Sequence, residues 1–203
     1  PLSTMRTLLA ELKREHPGGM LGEDITVLES QVERCRDSLR ELVAVGQAQL
    51  SETRETTMLG AFVTSCLDRF RLLRPEADVT LQVDESLAAI PLALPPGLRH
   101  ALLNLLNNAA DASAARGETT LAFAVRRTAG RIEFRVRDRG PGPSAAARAT
   151  LGRAFGTTKS TGLGLGFALA DATAERLGGR LELHATDDGA ETVFTIPVRA
   201  LLA

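Results

Sequence analysis

Apolar residues in this chain recur first at helical spacing and later at strand spacing. Leu2, Met5, Leu8, Leu9 and Leu12 line one face of a predicted helix over residues 2–15. His16-Pro17-Gly18-Gly19 interrupts it with turn residues. Beyond the turn, Ile25, Leu28, Val32, Cys35, Leu39 and Leu42 follow at alternating intervals of three and four. That is the heptad seam by which helices pack in coiled coils and four-helix bundles. The pattern predicts an antiparallel helical hairpin with one apolar face. One hairpin cannot bury such a face; two copies bury it as a four-helix bundle.

Residues 47–57 turn polar and read as a linker, after which the spacing changes. A helix is predicted over 59–73, and Val79, Leu81 and Val83 alternate as a strand does. Pro95-Pro96 precedes a long amphipathic helix over 97–116. Strands are predicted at 119–125 and 131–137, joined by a turn at Ala129-Gly130. A Gly/Ala/Thr-rich stretch fills 139–161, a helix spans 163–177, and strands at 180–186 and 191–198 complete the pattern. The expected organisation is a hairpin over 1–50, a linker over 51–57 and a second domain over 58–203. Helices among mostly antiparallel strands make that domain α+β, a two-layer α/β sandwich with helices on one face.

Composition narrows the choices. With 44% hydrophobic residues the 203-residue chain can build a real core. A formal net charge of −1 gives no electrostatic case for nucleic acid or an anionic membrane. No apolar run reaches the roughly 18 residues a membrane span needs, so the chain itself is cytoplasmic in character with no direct membrane contact. Trp and Tyr are absent, which removes the usual base-stacking platforms. Cys35 and Cys66 are too few for a disulfide framework or a zinc site.

Three places carry candidate chemistry. On the helix over 97–116, His100, Asn104 and Asn108 fall four residues apart and share one stripe. Asparagine is a poor helix former, so two of them a turn apart need a reason. An amide oxygen is a hard, neutral ligand suited to Mg²⁺, although a solvated helix face would carry polar residues too. Second, Asp138-Arg139-Gly140-Pro141-Gly142 follows a strand directly. A carboxylate there can accept a hydrogen bond from the exocyclic amine of adenine, with Gly140 and Gly142 admitting a flat ring; Asp and Gly are equally plain turn residues. Third, Phe155-Gly156-Thr157-Thr158-Lys159 is followed by Gly162-Leu163-Gly164-Leu165-Gly166, which opens a helix. Backbone N–H groups at a helix start attract phosphate, and Lys159 with the Thr157 and Thr158 hydroxyls can reach the same group. The spacing matches neither the dinucleotide fingerprint nor the P-loop.

Taken in order, these motifs resemble the N box, first glycine box, F box and second glycine box of the histidine-kinase catalytic domain. That domain has the ATP-binding fold shared with DNA gyrase, Hsp90 and MutL. The resemblance spans roughly residues 59–198. It implies ATP and Mg²⁺ as cofactors, with Asn108 as the magnesium ligand and Asn104 beside the phosphates. It further implies Asp138 as the adenine reader, Gly140 and Gly142 as its pocket, and 143–161 as a lid. Thr157, Thr158 and Lys159 would contact phosphate, and Gly162, Leu163, Gly164 and Gly166 would close on it. ATP-hydrolysing relatives typically carry a glutamate where this chain has Asn104, and an amide cannot act as a base at neutral pH. That favours transfer to a protein group over hydrolysis.

The hairpin resembles the phosphoacceptor element of the same family. Pro1-Leu2 looks like the tail of a His-Glu-Leu-x-x-Pro-Leu box, which implies an acceptor histidine five residues before Pro1. His16, His100 and His184 stand in the wrong contexts to replace it. Val32-Glu33-Arg34-Cys35-Arg36-Asp37 resembles the redox box of RegB/PrrB kinases. Flanking arginines make a thiol more reactive, whereas a small buried hydrophobe in a helix seam is the plainer reading of Cys35. The implied partners are a second copy of the chain and a response-regulator receiver domain. The implied parent protein is anchored in a bacterial inner membrane. The alternatives are a non-catalytic nucleotide- and redox-sensing dimerisation module, or another ATPase or serine kinase of the same fold.

Overall fold

The computed structural model describes residues 2–29, 31, 32, 35, 55–143 and 165–201. The chain divides into two compact units, Pro1–Gly46 and Gln47–Ala203.

In the first unit, helix α1 spans Leu2–Glu15. After the Pro17-Gly18 break, residues 19–29, 31, 32 and 35 are helical and form α2. Lys13 near the end of α1 pairs with Glu29 of α2 at 2.5 Å. Leu9 and Ile25 are buried, while Met5, Leu8 and Leu12 on α1 and Leu21 and Leu28 on α2 remain exposed. The apolar positions that made both helices legible are thus largely on the surface of this unit. Leu39 and Leu42 lie outside the described residues.

The second unit is a sheet with helices against one face. Its elements are β1 (Glu55–Met58), α3 (Leu59–Leu73), β2 (Asp78–Val83), α4 (Glu85–Ala88), β3 (Pro91–Leu94) and α5 (Pro96–Ala114), then β4 (Thr120–Thr128), β5 (Arg131–Asp138), α6 (Leu165–Arg176), β6 (Arg180–Thr186) and β7 (Gly189–Pro197). The main sheet has five strands in the order β2-β4-β5-β7-β6, all pairs antiparallel except β2 with β4. Alternation decides its faces. Leu121, Phe123 and Val125 of β4, Ile132, Phe134 and Val136 of β5, and Phe194 and Ile196 of β7 point into the core. Phe134 and Phe194 are directly paired, with ring centroids 6.1 Å apart, edge to face. Glu133 and Arg135 take the other parity, and Arg135 bridges Glu133 at 2.9 Å and Glu191 at 2.8 Å. One side of the sheet is therefore apolar and covered, the other laced with charge.

Helix α5 is the central cover, packing on β4 and β5, with α3 and α6 beside it and α6 reaching β6 and β7. Pro95 and Pro96 start it where a missing N–H costs nothing. Leu98, Leu102, Leu105 and Leu106 press its inner face into the core. At two places the chain differs from the pattern read in its sequence. Residues 55–57, polar enough to read as linker, form a strand with Met58 that pairs with Pro91–Leu94. Backbone pairing holds this ribbon, and the Leu201 carbonyl extends it by accepting from the Ala93 N–H at 2.7 Å. Helix α4 is a single turn capped by Asp84, whose carboxylate accepts from the Ser86 N–H at 2.9 Å. Four-residue elements are too short for side-chain periodicity to mark.

Candidate active site

The strand parity that buries Ile132, Phe134 and Val136 also turns Asp138, the last residue of β5, toward the helices. Asp138 is 6% exposed. Its Oδ1 accepts from the Gly140 N–H at 2.8 Å and from the Ala190 N–H at 3.2 Å. Among the described residues both bonds fall on Oδ1, so Oδ2 keeps its lone pairs for a ligand. Burial raises the pKa of this carboxyl above the ordinary aspartate value. The two N–H donors pull it back down, and the nearby Asp188 charge raises it further.

The turn after Asp138 is held from two sides. A Cβ on Gly140 would lie 2.7 Å from the Ala112 carbonyl oxygen of α5, so only glycine lets the turn approach the helix this closely. On the opposite side, a Cβ on Gly189 would fall 2.1 Å from the Asp138 carbonyl oxygen. The fully buried Ser113 accepts from the Arg139 N–H at 3.0 Å through its Oγ. Arg116, just past the end of α5, reaches the Gly140 and Asp188 carbonyls at 3.3 and 3.5 Å. Asp188 is also paired with Arg137 at 2.6 Å.

Helices α5 and α6 run antiparallel. Gly97 sits against Arg176 at one end, and at the other a Cβ on Gly166 would touch Asn104, 3.5 Å from its Cβ and 3.7 Å from its Nδ2. Asn104, Asn108 and Ala112 succeed one another four residues apart on a single helical face. The structure therefore brings Gly166 to Asn104 and Gly140 to Ala112, with half-buried Asn108 between them. The two contacts are about 12 Å apart along the axis, given the rise of an α-helix. Gly142, with φ +74°, faces the Gly189 carbonyl.

Thr157, Thr158, Lys159, Gly162, Leu163 and Gly164 lie outside the described residues, as do Arg34 and Arg36. Cys35 is helical and exposed, and Cys66 is buried in α3. Reading the sequence missed Ser113, Gly189 and Ala190. Asp187-Asp188-Gly189 was visible as turn chemistry between two strands. Its position beside Asp138 depends on β5–β7 pairing, in which Asp138 faces Ala190.

Comparison with known proteins bears on the family and the fold. The sequence profile of the family described as histidine kinase-, DNA gyrase B- and HSP90-like ATPase matches residues 93–200. The chain is 33% identical over 121 residues to the C4-dicarboxylate transport sensor protein DctB of Rhizobium meliloti, covering 55% of this chain and 19% of that protein. It is 36% identical over 101 residues to the C4-dicarboxylate transport sensor protein DctS of Rhodobacter capsulatus, covering 49% and 15%. The chain thus spans less than a fifth of these relatives' lengths. Among solved structures, the fold is similar to the Acinetobacter baumannii histidine kinase AdeS, with TM-score 0.60, 20% identity, and 97% and 96% of the two chains covered. It also resembles full-length ShkA in complex with AMPPNP, with TM-score 0.66, 22% identity, and 97% and 43% covered. The profile covers more than half of the chain, which belongs to the family of histidine kinase-, DNA gyrase B- and HSP90-like ATPases.

Proposed function

We propose that this chain is the ATP-binding and dimer-forming part of a sensor histidine kinase of a two-component system. In this reading it directs the γ-phosphoryl of ATP to a histidine outside residues 1–203, from which a response-regulator aspartate receives it. The observation that carries the proposal is the layout of α5. A buried acid with one oxygen unused among the described residues lies at one end of its polar face, a glycine-opened helix meets the other, and an amide stands between. A carboxylate oxygen of that kind fits a purine amine, and the Asn108 amide oxygen fits a hard divalent cation.

Asp138 would accept the exocyclic amine through Oδ2 while Gly140 admits the ring. Asn108 would hold Mg²⁺, whose charge offsets that of the phosphates. Asn104 would hydrogen-bond beside it and has no basic atom to take a proton from water, which separates this site from a hydrolase. Lys159, Thr157 and Thr158, with the Gly162–Gly166 segment, would grip the phosphates as the lid closes. Positioning and charge neutralisation are the whole of the protein's contribution to such a transfer. The exposed stripe of α1 and α2 would form the homodimer, and Cys35 would give the dimer a redox-sensitive point. The parent protein would be anchored in the bacterial inner membrane with this part in the cytoplasm; among the described residues no helix is long and apolar enough to cross a membrane.

Asn108→Ala and Asp138→Ala should each abolish ATP binding in calorimetry, and near-normal affinity in both would refute the site. Labelled ATP supplied to a chain extended upstream by about ten residues should label a histidine. Binding without a labelled histidine would instead favour a non-catalytic nucleotide-sensing module.

A further inference from the structure

The peptide group joining Asp138 to Arg139 is held at both of its polar ends. Its N–H donates to Ser113 Oγ at 3.0 Å. Its C=O is packed against Gly189 so closely that a Cβ there would sit 2.1 Å from the oxygen. With that plane fixed, the backbone rotation that aims the Asp138 side chain is fixed as well. The side chain is then oriented by the Gly140 and Ala190 N–H groups on Oδ1. Ser113 never faces the ligand: it is fully buried on α5, one residue beyond the Ala112 contact.

We propose that Ser113 is a positioning residue for base selection, holding the Asp138 carboxylate where Oδ2 meets the amine of adenine. This rests on the proposed role of Asp138. Removing the Ser113 hydroxyl leaves the part-buried Arg139 N–H without its acceptor, and the peptide turns to find another. That rotation swings the carboxylate away from the base and leaves the phosphate end of the site, at Asn104 and Asn108, untouched. The loss is therefore confined to ligands whose base offers an amine at this position. ITP, with a carbonyl in place of that amine, has nothing to lose.

The test is calorimetric titration of the 203-residue chain with ATP and with ITP. Ser113→Ala should lower ATP affinity about tenfold, the size of one lost hydrogen bond, with ITP affinity unchanged. Ser113→Cys, nearly isosteric and with sulfur a weak acceptor, should fall between the two and replaces the alanine variant if that one fails to fold. In an Asp138→Asn background the same Ser113 change should have no further effect on the ATP-to-ITP ratio, because coupled residues do not add. Equal losses of ATP and ITP, or an undiminished effect once Asp138→Asn is in place, would reduce Ser113 to a general packing role and overturn the inference. If Asp138→Asn itself leaves the ratio unchanged, it is the adenine-reading role of Asp138 that fails.

Discussion

Asp138 combines two demands that conflict. It lies in the apolar register of β5, and its proposed use requires a charge. Burial raises its pKa, so in the interval between the unfolded and the native values the folded chain binds the extra proton. Stability therefore falls as pH rises through that interval and stays reduced above it, whereas below both values the residue costs nothing. Asp138→Asn keeps an oxygen for the Gly140 and Ala190 N–H groups and removes the charge. We expect it to raise the melting temperature by a few degrees at pH 7, a gain that vanishes near pH 3, while the preference for ATP is lost. Scanning calorimetry at the two pH values checks the sign. A strand-terminal acid followed by glycines was legible in the sequence because its chemistry is local. The residues that aim it were not: Ser113 is an ordinary serine in a helix, and Gly189 an ordinary turn glycine, until the sheet register brings them to Asp138.

The elements show the same division. Helix α3 and strand β2 follow from spacing alone, as do β4 and β5, whose alternation persists long enough to be read. Ribbon β1–β3 and the single turn α4 do not, being built from backbone bonds and one cap. The β4–β5 hairpin was legible as a turn at Ala129-Gly130, and its backbone adds a liability. Both residues are left-handed, with φ +47° and +77°, as a two-residue hairpin of the favoured twist requires. Glycine adopts this freely and alanine does not, at about 1 kcal/mol. Ala129→Asn, which tolerates the conformation, should stabilise the chain by roughly 0.5–1 kcal/mol, read as a higher urea midpoint with unchanged slope.

At the scale of the whole molecule, the first unit leaves Met5, Leu8 and Leu12 at 50%, 53% and 43% exposure along one side of α1. Their helical spacing was legible in the sequence, yet the stripe is unburied in a single copy. Leu8→Glu places a charge in the centre of that stripe. We expect it to convert a dimer to a monomer in sedimentation equilibrium without changing ATP affinity, since the proposed nucleotide residues lie in the other unit. A dimer that survives the change would assign the stripe elsewhere. Helix α5 has a consequence of another kind. The two ends of the proposed pocket ride on one unbroken rod, so their separation cannot adapt to what is bound. If the proposed transfer removes the terminal phosphoryl, the remaining diphosphate would reach less far along a gauge of unchanged length. The product would then be held less firmly than the reactant, and turnover would carry its own means of release.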